Sequence, residues 1–246
     1  MQISRYLQSE KVKPLLAGAA LLIATGVSSN AATIDLSGLT NADLTLYTNG
    51  SVYPQNGGPI TIGGIGFQLS TFAPSGDTGV IQTSAADTTP FHILDNEFGV
   101  TTVYTIANSS FGAVPSTAGQ ITFNGSLGNT FTYTYTEGDN IRDHATTFFN
   151  ISAPNVFATH DFGLGDRLDV QQIILPAIFA TETLTSIDFA YVGDTVPGNG
   201  EAFLAAITTS NAVGATPLPA ALPLFASGLG ALGLLGWRRK RKALAA

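Results

Sequence analysis

Cysteine is absent from the 246 residues, which excludes a disulfide scaffold, a thiol nucleophile and a zinc–thiolate centre. Charge is scarce as well, at 11% of residues, and bases are scarcer than acids, ten Lys and Arg against 17 Asp and Glu for a net −7. The bases also avoid the middle of the chain. Arg5, Lys11 and Lys13 lie at the start, Arg238, Arg239, Lys240, Arg241 and Lys242 at the end, and only Arg142 and Arg167 between. Phosphate backbones are met by clustered Lys and Arg on a folded surface, so nucleic acid is not an expected partner. Several catalytic signatures are missing too: there is no G-x-S-x-G elbow, H-E-x-x-H pair, Walker A loop or G-x-G-x-x-G after a strand. What the chain does have is a 44% hydrophobic content, well beyond that of a disordered chain.

The two ends read as addresses. Lys11 and Lys13 precede an uncharged run from Pro14 to Val27, followed by Ser28, Ser29 and Asn30. Ser29 and Ala31 occupy the −3 and −1 positions of a small-x-small site, so residues 1–31 read as a signal peptide cut between Ala31 and Ala32. Signal peptidase and the Sec machinery are the implied partners. A permanent anchor is the rival, but the run falls short of the roughly 20 residues that span a bilayer.

At the far end, Thr216 to Pro223 is punctuated by proline, Leu224 to Trp237 is apolar, and Arg238, Arg239, Lys240, Arg241 and Lys242 follow as a basic stop-transfer block. The uncharged segment 220–237 would be about 27 Å long as a helix, close to the thickness of a hydrocarbon core. The positive-inside bias keeps the basic block cytoplasmic. A single transmembrane helix across the inner membrane is therefore expected, with residues 32–216 outside it.

The order Pro-x-Pro, apolar helix and Arg-rich terminus resembles the PEP-CTERM sorting signal, in a variant with Leu in place of the central Glu. The resemblance covers about an eighth of the chain. It implies an exosortase as partner, recognition through Pro217, Leu218 and Pro219, and a Gram-negative host that makes exopolysaccharide, biofilm or floc matrix. It implies nothing about catalysis by the remainder.

That remainder, Ala32 to Thr216, is a 185-residue body with 16 acids against two bases, a net −14. It carries 29 Thr and 20 Phe plus Tyr, residues that favour pleated, half-buried strands. Thr130 to Thr136 alternates strictly, with aromatics on one face, and Ser186 to Tyr191 repeats the pattern with Ile187, Phe189 and Tyr191 inward and Asp188 outward. Further strands are expected at Leu44–Tyr47, Ile60–Phe72, Val80–Thr83, Phe98–Ile106, Gln120–Asn124, Asn155–Thr159, Asp169–Leu175 and Ala202–Thr208. Turn signals such as Asn56-Gly57-Gly58-Pro59 and Asn124-Gly125 separate them. The expected fold is all-β, a jelly-roll-like β-sandwich in one domain. The stretches Asn140–His144, Arg167–Asp169 and Phe203–Thr208 also resemble β-sandwich modules of other PEP-CTERM proteins, themselves compared with galactose-binding-like jelly rolls.

The body's chemistry is sparse. Its histidines are His92, His144 and His160. Asp143-His144 and His160-Asp161 are sequence neighbours, which on a strand point to opposite faces. The strongest local constellation is Asp161-x-Gly163-x-Gly165-Asp166-x-x-Asp169, where Asp161, Asp166 and Asp169 could supply oxygens to a structural Ca²⁺. Glu137-Gly138-Asp139-Asn140 is a second acidic turn, and a solvated turn is the simpler use of both. Tyr47 and Tyr53 flank Asn49-Gly50 as candidate sugar platforms, with packing the commoner fate of such rings. The expectation is a non-enzymatic structural or interaction protein, tethered to the inner membrane and then placed on the outer surface or in the exopolysaccharide matrix. A carbohydrate-binding module and a glycan- or ester-active hydrolase are the alternatives.

Overall fold

The computed structural model describes residues 31–47, 53–146, 152–193 and 200–211. Thirteen strands account for most of them: β1 (Ala31–Ile34), β2 (Ala42–Asp43), β3 (Gly58–Ile62), β4 (Ile65–Leu69), β5 (Gly79–Gln82), β6 (Phe91–Phe98), β7 (Val100–Ser110), β8 (Thr117–Gly125), β9 (Thr130–Thr136), β10 (Ala158–Gly163), β11 (Asp166–Ile174), β12 (Thr183–Ala190) and β13 (Glu201–Asn211). All strand pairs are antiparallel. The fold class is all-β, as the alternating pattern predicts.

Seven strands form the larger sheet, in the order β10-β11-β7-β13-β5-β2, with β1 on the free half of β13. Four form the smaller sheet, β6-β12-β8-β9, and β3-β4 make a separate hairpin. The two main sheets face each other across a common core. Ile81, Val103, Leu204 and Ile207 come from the larger sheet and Ile121, Phe123, Ile187 and Phe189 from the smaller. The far face of the larger sheet is covered in turn by the hairpin, whose Ile62, Phe67 and Leu69 pack on Ile106, Val170 and Phe203.

This layering explains β13, the most continuously apolar strand of the body. Both of its faces are buried, so it shows no polar alternation. Ala202, Leu204 and Ile207 face one core, and Phe203, Ala205 and Ala206 the other. Two neighbours share a face because a bulge interrupts the ladder, moving the register from Leu204 opposite Ala107 to Ala206 opposite Ile106.

Four expected strands are corrected. Leu44–Tyr47 is a 3-10 turn rather than a strand, its entry tied by the Asp43 carboxylate, which accepts from the Thr45 N–H at 2.9 Å. Ile60–Phe72 is a hairpin, because Gly63 and Gly64 both take positive φ (61° and 83°) between the paired Ile62 and Ile65. That is the two-residue turn whose twist suits a hairpin, and it needs residues that tolerate a left-handed backbone. Phe98–Ile106 is likewise two strands, broken at Gly99 with φ 76°, where the chain crosses from the smaller sheet to the larger. Asn155–Thr159 is displaced: the strand starts at Ala158, and Asn155 instead donates its side-chain amide to Asp139 at 2.6 Å. Thr130–Thr136 keeps its predicted bounds, with Tyr135 fully buried and Thr130, Thr132 and Thr134 exposed.

Candidate functional site

The two arginines of the body meet in one buried network. Asp169 on β11 has no exposed side-chain surface. Arg142 holds it with both arms of the guanidinium, Nε donating to Oδ2 at 2.7 Å and Nη2 to Oδ1 at 2.9 Å. Asn108 on β7 donates to Oδ2 at 3.0 Å, and Thr159 on β10 donates to Oδ1 at 2.7 Å. Arg167 lies 3.9 Å away and donates through Nε and Nη2 to the Asp143 carbonyl, at 3.0 and 2.7 Å. The bond to Asp169 pushes the Arg142 guanidinium up, and burial pushes that of Arg167 down. With four donors on two oxygens, Asp169 has no capacity left for a proton-transfer role or a metal. It joins β7, β10, β11 and the 142–144 segment into one unit.

His144 sits at the edge of this network. Its Nδ1 is 3.2 Å from the Tyr53 hydroxyl and 3.7 Å from Asp166 Oδ1. The Tyr53 hydroxyl also donates to the Arg167 carbonyl at 3.2 Å, so the imidazole Nδ1–H is the donor that completes a consistent arrangement. Burial lowers the His144 pKa, against the pull of Asp143 and Asp166, and burial raises that of Asp166. Tyr47 and Phe203 pack on the ring at centroid distances of 5.6 and 5.9 Å. Tyr53 is therefore a core residue, 1% exposed. Tyr47 stacks on Phe203 at 5.6 Å. Neither stands out as a sugar platform.

The three aspartates proposed for Ca²⁺ are not brought to one point. Asp169 is engaged as described. Asp166 faces His144, and Asp161 lies on the exposed side of β10, where Oδ1 accepts the Gly163 N–H at 2.7 Å. Among the described residues, no group of three His, Asp or Glu is arranged to hold a metal ion. The second acidic turn is closed on itself: the Asn140 side chain accepts the Thr136 N–H at 2.8 Å and donates to the Thr134 carbonyl at 2.9 Å.

A close histidine–aspartate pair does exist, but between strands rather than neighbours. His92 on β6 lies opposite Asp188 on β12, with Nδ1 2.6 Å from Oδ1. Asn124 on β8 donates to the second Asp188 oxygen at 2.9 Å and to the Ser186 hydroxyl at 3.1 Å. The serine is thus turned to the amide rather than to the imidazole, and this is not a nucleophile–base pairing. The row lies on the outer face of the smaller sheet, beside a Thr122–Thr132 hydroxyl pair at 2.9 Å. No sequence spacing signals this row, because it is built from three strands up to 96 residues apart.

An open cleft of about 700 Å³ lies between residues 32–35 and residues 94–97. Asp35, Asp95 and Glu97 all line it. Hydrogen bonds from the Ser37 N–H and hydroxyl hold the Asp35 carboxyl low, whereas burial pushes Asp95 up. Sequence reasoning missed this cleft, since Asp35 and the 95–97 pair meet only through the stacking of the two sheets.

Of the address residues, Ala31 and Ala32 open β1 and are exposed. Pro217, Leu218, Pro219, the segment 220–237 and the basic block 238–242 lie outside the described residues, as does the signal peptide up to residue 30. Among the described residues no helix is long and apolar enough to cross a membrane. A scan of the chain against protein-family models finds no match, and a search of curated proteins finds no relative.

Proposed function

We propose that this chain is an exported, non-enzymatic protein of the cell surface or extracellular matrix. In this reading a jelly-roll-like sandwich is delivered by a signal peptide at 1–31 and sorted by an exosortase through residues 217–246. One observation carries it. The first and last strands, β1 and β13, pair antiparallel, with Ala31 opposite Ser210, so their Cα atoms are about 5 Å apart. The strands that follow the first address segment and precede the second therefore lie side by side, which suits a body hung from a membrane at that edge with the rest of its surface facing outward. The charge distribution supports the same reading. Both arginines of the body belong to the buried network, so its surface offers carboxylates and hydroxyls, which suits a hydrated exopolysaccharide.

The test is intact-mass measurement of the protein from host cells with and without an exosortase gene. The mature form should lack residues 220–246 in the first case and retain them at the inner membrane in the second. A tail still present in exosortase-containing cells would overturn the sorting reading. Glycan binding is favoured as a second reading by the outer face of the smaller sheet. There Thr130, Thr132 and Thr134 are exposed along β9, about 7 Å apart, beside Thr122. Retention of the protein on the host's own exopolysaccharide, weakened by Thr132→Val, would support it, and free elution would sink it.

A further inference from the structure

The acidic cleft lies between two open strand edges. β1 is bonded on one side only, to β13, and β6 is the outermost strand of its sheet. β6 also carries a bulge: it takes three steps from Leu94 to Glu97 while β12 takes two from Ser186 to Leu184. Bulges re-aim side chains at sheet edges, and this one lies at Asp95 and Asn96. Asp95 Oδ2 is buried and has no hydrogen-bond partner among the described residues. Glu97 accepts a bond from the Thr209 hydroxyl, which also lies 3.2 Å from the Ala32 carbonyl oxygen. Thr209 therefore places the Glu97 carboxylate beside the start of β1. The charged groups lining the cleft are Asp35 from the end of β1 and Asp95 and Glu97 from β6. None is a base, since Arg142 and Arg167 sit in the buried network. A buried carboxylate oxygen beside a second carboxylate calls for a cation.

We infer that the cation is the chain's own α-ammonium: cleavage after Ala31 creates a new N-terminus at Ala32, which seats against Asp95 and Glu97 and locks β1 onto the body. The inference rests on the signal-cleavage reading given above. The geometry is already in place, because Ala32, Thr33 and Ile34 are held by their partners Thr209, Thr208 and Ile207, so the new amine has little freedom to leave. Hydrolysis of the Ala31–Ala32 peptide bond replaces a neutral amide nitrogen with a charged group carrying three donors. The same cut removes the Ala31–Ser210 pair from the ladder, and the ion pair offsets that loss. Before the cut, no base among the described residues stands beside the two carboxylates. Export would thus be coupled to stability, the processed body being firmer than its precursor.

The experiment uses the exported protein as isolated from producing cells. The N-terminal peptide is first identified by mass spectrometry, and the rate of α-amine acylation is then followed against pH. The expected N-terminus is Ala32. Its reactivity midpoint should lie above the ordinary α-amino range of about 7.7–8.0, making acylation at pH 7 about tenfold slower than for a free terminus. Asp95→Asn with Glu97→Gln should return the midpoint to the ordinary range, and each single substitution should return it in part, so the test stands if the double variant does not fold. A midpoint in the ordinary range at Ala32, or one that the substitutions do not move, would overturn the ion pair alone. An N-terminus other than Ala32 would overturn the cleavage reading and the inference with it.

Discussion

The buried network around Asp169 and the open cleft around Asp95 use the same chemical group in opposite ways. In the network a carboxylate is enclosed and every lone pair is met, by two arms of Arg142, by Asn108 and by Thr159. In the cleft, two carboxylates line a sheet edge, and one oxygen is buried with nothing among the described residues to accept from. A chain with so few bases cannot neutralise both places. It places both interior arginines where burial is complete and the cost of an unmet charge greatest. Among the described residues, the edge is left without a base.

The comparison can be broken most sharply from the network side. Arg142→Met leaves the Asp169 carboxylate buried without its main partner and should cost about 3 kcal/mol. That corresponds to a fall of about 9 °C in melting temperature by calorimetry for a body of this size. Adding Asp169→Leu should recover part of the loss, because no buried charge then remains unmet. A fall of under 2 °C for the single variant would mean that the network is not a structural tie.

In the cleft the sign should reverse. In a chain whose cleavage is blocked by Ala31→Leu, Asp95→Asn removes an unmet, repelled charge and should raise the melting temperature by about 3 °C. In the processed chain the same substitution should lower it. A decrease in both backgrounds would show that Asp95 has a partner before processing.

The smallest effect belongs to the rim of the network. Burial holds the His144 pKa below its ordinary value of about 6.5, so the native state favours the neutral ring. That contribution is complete above pH 6.5 and is lost as pH falls through the lowered value. Asp166, whose carboxyl is raised by burial, slopes the other way: its contribution is present in acid and is lost as pH rises through its native pKa. Between pH 7 and 6 the histidine should dominate, with a drop of about 1–2 °C in melting temperature that His144→Asn flattens. An unchanged slope in that variant would assign the pH dependence elsewhere.

Much of the strand content was legible because alternation is a local signal. β9 and β12 each bury one face, so Phe131, Tyr133 and Tyr135, or Ile187 and Phe189, declare themselves two residues apart. β6 did not, since its inward Phe91 and Ile93 give way to Asp95 and a bulge before Glu97. The hairpin turn at Gly63-Gly64 was hidden inside an apolar run for a related reason: a tight turn needs only two glycines and no polar spacer. Of the candidate sites, the acidic constellation Asp161, Asp166 and Asp169 was visible as spacing. The structure, however, sends the three carboxylates to three environments: Asp169 is enclosed by Arg142, Asn108 and Thr159, Asp166 faces His144, and Asp161 accepts from its own turn at Gly163. Asp143-His144 and Arg167-Leu168-Asp169 were visible as charged islands, though nothing in their spacing says that Arg142 reaches Asp169 across 27 residues.

By itself the sequence determined the all-β class, the separation of an acidic body from two basic ends, and the absence of thiol chemistry. Composition and short-range periodicity are enough for those. Only the tertiary structure decided which acids are met and which are not. Electrostatic partners are set by distance in space, and in a stack of antiparallel sheets residues more than 60 positions apart come within hydrogen-bonding reach. The pairing of the first strand with the last was decided in the same way, and it gives the start of the body, Ala32, an acidic wall to meet.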